Sequence, residues 1–140
     1  MSVLVDTGVW SLALRRRKAS THPMALELRE LIREARVRIV GPIRQEVLSG
    51  IREVPHFERL RQHLAAFQDL PLGTQDYERA AEFFNTCRRH GIQGSNTDFL
   101  ICAASERYGL PILTTDGDFD SYLYHLPITI HRPRGGLRQA

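Results

Sequence analysis

The stretch Val3-Leu4-Val5-Asp6-Thr7-Gly8-Val9-Trp10 decides the fold. Three apolar residues follow one another without alternation, as in a strand covered on both faces, and strands of that kind belong to parallel sheets. The run stops on an aspartate and gives way to a short helical pattern from Gly8 to Arg16. The same order repeats outward along the chain. Pro23 to Arg36 carries Met24, Leu28, Leu31 and Ala35 at helical spacing, and Val37 to Val40 reads as a second strand. Gly41-Pro42 then opens a helix that ends near Ser49-Gly50, since proline is favoured in a first turn. His56 to Phe67 reads as a further helix, Asp69 to Leu72 as a short strand, and Asp76 to His90 as a helix closed by Gly91. Asn96 to Tyr108 is a strongly apolar helix closed by Gly109. Pro111 to Thr114 reads as a strand, Asp118 to Tyr124 as a short helix and Ile128 to Ile130 as a last strand. Short apolar runs alternating with longer amphipathic ones predict an α/β fold around a parallel sheet. A length of 140 residues suits one domain. The sequence predicts that domain over residues 1–131 and a basic, flexible tail over 132–140.

Composition narrows the function. Hydrophobic residues make up 42 % of the chain, enough for a core, and no apolar run approaches the roughly 18 residues of a membrane span. The N-terminus lacks the basic lead and apolar run of a secretory signal, so a cytoplasmic protein without membrane contact is expected. Cys87 and Cys102 fall in apolar helical patterns and read as small buried hydrophobes. Of the 19 basic residues only Lys18 is a lysine. Arginine suits phosphate contact through its planar fork, although a bias towards arginine codons gives the same composition. No HExxH, zinc spacing or GxxxxGK[ST] loop occurs.

Four acids stand where solubility does not require them. Asp6 ends the first strand, and ligands of parallel sheets bind beyond the carboxyl ends of their strands. A helix N-cap explains Asp6 equally well. Asp116 repeats the situation in Leu113-Thr114-Thr115-Asp116, followed by Asp118. Asp98 opens a helix whose next six residues are all apolar, which places it near the interior. Glu46 shares a helix face with Ile43, Val47 and Gly50, beside apolar side chains, while Arg44 and Arg52 point elsewhere. If these carboxylates converge, their repulsion needs compensation, which a hard divalent cation provides. Arg15, Arg16, Arg17, Lys18, Arg88 and Arg89 are candidate phosphate contacts. Setting the four acids aside leaves 12 of the 16 acidic residues against 19 basic ones.

At these residues the chain resembles a PIN domain, in particular the VapC-type toxin ribonucleases of type II toxin–antitoxin pairs. The resemblance is carried by Val3-Leu4-Val5-Asp6-Thr7-Gly8-Val9-Trp10, Gln45-Glu46-Val47-Leu48-Ser49-Gly50, Asn96-Thr97-Asp98-Phe99-Leu100-Ile101 and Ile112-Leu113-Thr114-Thr115-Asp116-Gly117-Asp118-Phe119. It implies a three-layer α/β/α fold and Mg²⁺- or Mn²⁺-dependent endonucleolytic cleavage of RNA. It also implies metal ligation by Asp6 and Asp98, with Glu46 and Asp116 completing the acidic pocket. Thr7 and Thr115 match small polar positions that orient such sites, and Asp118 matches a frequent acid of the last motif. A small VapB-type antitoxin and a homodimer are implied as partners. A HAD-like phosphatase would need an aspartate at position 8, where glycine stands. The reading kept as the alternative is a non-catalytic RNA-binding or interaction module on the same fold.

Overall fold

The computed structural model describes residues 1–15 and 20–135. Three strands form its sheet: β1 (Val3–Val5), β2 (Val37–Arg38) and β3 (Ile112–Leu113). All pair in parallel in the order β2-β1-β3, with Val3 opposite Val37, Leu4 opposite Arg38 and Ile112, and Val5 opposite Leu113. The strands predicted at 69–72 and 128–130 shrink to single parallel bridges, Ile39 to Asp69 and Ile112 to Ile130. They extend the sheet by one residue pair on each side, through Leu70 N–H to the Ile39 carbonyl at 2.9 Å and Ile112 N–H to the Thr129 carbonyl at 2.9 Å. Pro71 and Pro127 stand beside these bridges, at the edges and ends of pairing to which proline is confined.

Seven helices occupy the described residues: α1 (Thr7–Leu14), α2 (Pro23–Arg33), α3 (Gly41–Leu48), α4 (Val54–Leu64), α5 (Thr74–Arg89), α6 (Asn96–Tyr108) and α7 (Asp118–Leu123). Helix α1 packs on α2 and α3, and α3 on α4, while α5 and α6 pair separately. The sheet runs between the two groups in the expected α/β/α order. Val3, Leu4 and Val5 are fully buried, which accounts for the unbroken apolar run. Helix α6 is buried from Phe99 through Ser105, as its all-round apolar sequence requires. Trp10 is fully buried; its indole N–H reaches the Val5 carbonyl at 3.1 Å and its ring meets Phe67 edge-on at 5.1 Å. Cys87 and Cys102 are buried free thiols.

Beyond residue 131 the chain stays attached to α2 as far as it is described. The Glu27 carboxylate, 2 % exposed, accepts hydrogen bonds from His131 Nε2 at 2.7 Å and from the Arg134 backbone N–H at 3.1 Å and guanidinium at 2.9 Å. Arg132 pairs with Asp120 at 3.1 Å. Residues 136–140 of the expected tail lie outside the described residues, as do Arg16, Arg17 and Lys18.

The topology fixes where a site can form. From β1 the chain crosses to β2 on one side, and later returns to β3 on the other. Crossovers that leave in opposite directions open a crevice at the carboxyl ends of the two strands. Asp6 closes β1 at that crevice, and Thr114 to Asp116 follow β3 beside it.

Candidate active site

The crevice between β1 and β3 is a cleft of about 680 Å³ whose lining includes Asp6, Thr7, Gly8, Glu46, Asp98, Thr115 and Asp116. The four acids singled out in the sequence, contributed by residues 6 to 116, therefore face one space. Asp118 is not among the lining residues. Its part is its backbone N–H, which donates to Asp116 Oδ1 at 2.9 Å.

Asp6 is the most enclosed acid, at 7 % exposure. It is also the N-cap of α1, so the structural and the site readings hold together. Its Oδ1 accepts the Thr7 N–H at 2.8 Å and its Oδ2 accepts the Thr114 hydroxyl at 2.8 Å. Burial pushes the Asp6 carboxyl above its usual range; the Thr114 and Thr7 bonds oppose this, and the charges of Asp98 and Glu46 add to it.

Asp98 sits in the first turn of α6. Ser95 caps that helix by accepting the Asp98 N–H at 3.0 Å. The buried Tyr122 phenol donates to Asp98 Oδ2 at 2.8 Å. Burial raises the Asp98 carboxyl too, against the Tyr122 and Ser95 bonds, with Asp116 adding repulsion. Desolvation and the adjacent carboxylate push the Tyr122 phenol well up, so it stays protonated and remains a donor. Gly94 makes room for this contact: a Cβ there would lie 2.3 Å from the Tyr122 hydroxyl.

Glu46 departs from expectation. It is exposed at the rim rather than set among apolar side chains, and its Oε1 accepts the Thr7 hydroxyl at 2.6 Å. The apolar residues of its face, Ile43 and Val47, are buried, and the side chain at 46 turns away from them towards the cleft. Arg44 does turn elsewhere, to Asp69 at 3.0 Å and the Leu64 carbonyl at 2.9 Å. Asp116 is exposed as well.

Two participants escaped the sequence reading. Thr114, rather than the neighbouring Thr115, is the orienting hydroxyl: it donates to Asp6 and accepts the Asp116 N–H at 3.0 Å, joining two of the acids through one oxygen. Thr115 instead lies against Gly8, where a Cβ would come within 2.3 Å of its Oγ1. Tyr122 was the other; it stood in the helical pattern as one more aromatic. The signal available was its place three residues after Phe119, on the buried face of α7. Arg88 and Arg89 do not reach the acids. Arg88 stands over the Phe84 ring at 5.8 Å, and Arg89 reaches the Thr86 hydroxyl at 3.3 Å.

The donor set is all oxygen, and Asp6 and Asp98 each carry a carboxyl raised in part by neighbouring negative charge. A hard cation would relieve both effects at once. As the side chains stand, no three His, Cys, Asp or Glu residues among the described ones are gathered as a ready metal-binding group. The four acids line one cleft without meeting at one point.

The PIN domain family model matches residues 3–122. The chain belongs to the PIN domain family. Solved structures share the PIN fold at low identity. FitAcB from Neisseria gonorrhoeae is 21 % identical with a TM-score of 0.74, over 94 % of this chain and 97 % of that one. VapBC2 from Rickettsia felis, bound to a DNA fragment from its promoter, is 14 % identical with a TM-score of 0.74, over 94 % and 98 %. A toxin–antitoxin complex from Klebsiella pneumoniae is 21 % identical with a TM-score of 0.62, over 84 % and 90 %. No curated protein matches the sequence. Among the described residues no helix of this PIN domain is long and apolar enough to cross a membrane.

Proposed function

We propose that this PIN domain is a divalent-metal-dependent endoribonuclease and the toxin of a VapBC-type toxin–antitoxin pair. The observation that carries the reading is the convergence of Asp6, Glu46, Asp98 and Asp116 on one cleft at the carboxyl ends of β1 and β3. Asp6 and Asp98 would hold Mg²⁺ or Mn²⁺, with Glu46 and Asp116 completing the acidic ring. When bound, the ion would supply an activated water and charge neutralisation at the scissile phosphate.

The chain's own residues prepare the cleft for that role. Thr7 and Thr114 fix both oxygens of Asp6. Thr7 also holds Glu46, so one residue, through its N–H and its hydroxyl, sets the spacing between two acids. Tyr122 and Ser95 aim Asp98. Carboxylates so fixed keep their orientation despite mutual repulsion, the preorganisation that a charge-stabilising site needs. The toxin role and a VapB-type antitoxin draw support from the toxin–antitoxin complexes of the same fold, and a homodimer and a cytoplasmic setting are proposed alongside them.

The test is incubation of the antitoxin-free protein with cellular RNA in Mg²⁺, in Mn²⁺ and in chelator, beside Asp98→Asn. Discrete cleavage that needs metal and is lost in the variant is the expected result. Folded protein that cuts no RNA with either ion would overturn the nuclease reading in favour of a binding module.

A further inference from the structure

A second cleft, of about 580 Å³, adjoins the acidic one and is lined by Gly8, Ser11, Leu12, Arg15, His22 and Thr115. Gly8 and Thr115 belong to both clefts, so they form a common lip. At position 8 no side chain rises between the two; a Cβ there would collide with Thr115. The chemistry changes sign across this lip. One side carries four carboxylates, while no carboxylate lines the other. Gly8, Ser11, Leu12 and Arg15 recur at i, i+3, i+4 and i+7, so a single face of α1 and its C-cap delivers Ser11 and Arg15 to the second cleft. Among the described residues Arg15 pairs with no carboxylate, and its Nη2 lies 3.8 Å from where a Cβ on Gly50 would stand, behind the rim that carries Glu46. His22 N-caps α2, and its Nδ1 accepts the Met24 N–H at 3.1 Å. That bond fixes the tautomer and leaves Nε2–H as a donor.

We propose that this second cleft is the subsite for a phosphate next to the scissile one in single-stranded RNA, bound by Arg15 with His22 and Ser11. The inference rests on the nuclease reading and extends it. A strand whose scissile phosphate lies over the acids passes across the Gly8–Thr115 lip, and its neighbouring phosphate enters the donor-lined side. Phosphate contacts of this kind set register without reading sequence. They also compensate the repulsion that an acidic cleft exerts on RNA.

The test measures binding as a function of salt, separately from cleavage. The probe is a labelled 12-nucleotide single-stranded RNA of randomised sequence, bound in Mg²⁺ by Asp98→Asn protein with and without Arg15→Gln. Arg33→Gln, which removes the same charge from an exposed ion pair with Glu30 at 3.3 Å, is the control. Losing one phosphate contact lowers the slope of log affinity against log salt by about 0.7, so the ratio of parent to Arg15→Gln affinity falls roughly 2.6-fold between 50 and 200 mM salt. Arg33→Gln leaves the slope unchanged. RNA that binds with the same slope in Arg15→Gln, or an equal change in Arg33→Gln, overturns the subsite while cleavage by the wild-type protein leaves the nuclease standing. A wild-type protein that neither cuts nor binds the probe overturns both.

Discussion

Replacing Thr114 by valine keeps the shape of a nearly buried side chain and deletes one oxygen. That oxygen donates to Asp6 Oδ2 at 2.8 Å and accepts the Asp116 N–H at 3.0 Å. A hydrogen bond to a charged group contributes about 1.5–3 kcal/mol, and one between neutral groups about 0.5–1.5 kcal/mol. Asp116 is exposed, so its N–H recovers a water and most of the second contribution returns. Asp6 is enclosed and recovers little. The expected loss in metal-free protein is therefore about 2–3 kcal/mol near pH 8. Its pH dependence identifies the cause. Burial already raises the Asp6 carboxyl above the unfolded value of 3.8, and the Thr114 bond holds it down. A carboxyl raised in the folded state takes up protons on folding, so its contribution to stability falls as pH rises from the unfolded to the folded pKa. Removing the hydroxyl raises the folded value further and extends that fall to higher pH. The deficit of Thr114→Val is thus larger at pH 8 than at pH 5. Urea unfolding in chelator at the two pH values measures it. A deficit of the same size at both would mean that packing alone was lost, and would refute the coupling of Thr114 to the charge on Asp6.

Tyr122→Phe removes the donor to Asp98 and leaves the ring in place, so the acid limb of the RNA-cleavage pH profile moves to higher pH; reduced activity with an unmoved limb would make Tyr122 a packing residue only. Gly94→Ala presses a methyl into the Tyr122 and Phe99 rings, a strain of about 1–3 kcal/mol that thermal unfolding reads directly; an unchanged midpoint would contradict the close approach. Asp98→Asn relieves like-charge repulsion in metal-free protein, a gain of about 1 kcal/mol or roughly 3–5 °C for a domain this size. A thermal shift on adding Mg²⁺ is expected of the wild type and not of this variant, and equal Mg²⁺ shifts in the two proteins would remove Asp98 from the proposed metal site.

What the sequence disclosed followed from strong local signals. Helix α6 begins and ends where Ser95 and Gly109 cap it, because a serine N-cap and a left-handed glycine act within a few residues. The four acids were legible because strand ends and an apolar helix are poor places for charge. Glu46 was found for an incomplete reason: its helix face is apolar at 43 and 47, yet its carboxylate lies at the rim, and spacing alone gives no side-chain direction. Thr114 and Thr115 are adjacent and alike, and only the pleat of β3 and the turn after it decide which hydroxyl faces Asp6. Strands of one bridge carry too few residues for a pattern to fix their limits.

The bond between Thr114 and Asp6 joins residues 108 positions apart. It has a consequence for the order of events during synthesis. The central strand leaves the ribosome first, yet its aspartate has no hydroxyl partner until β3 emerges, and Asp98 lacks its phenol until α7 follows. A chain cut short before residue 114 holds Asp6, Glu46 and Asp98 without Thr114, Asp116 and Tyr122, the residues that orient those acids and complete the cleft. The acidic cleft is thus left unfinished until nearly the whole domain has been made, a built-in delay between translation of the chain and completion of the site.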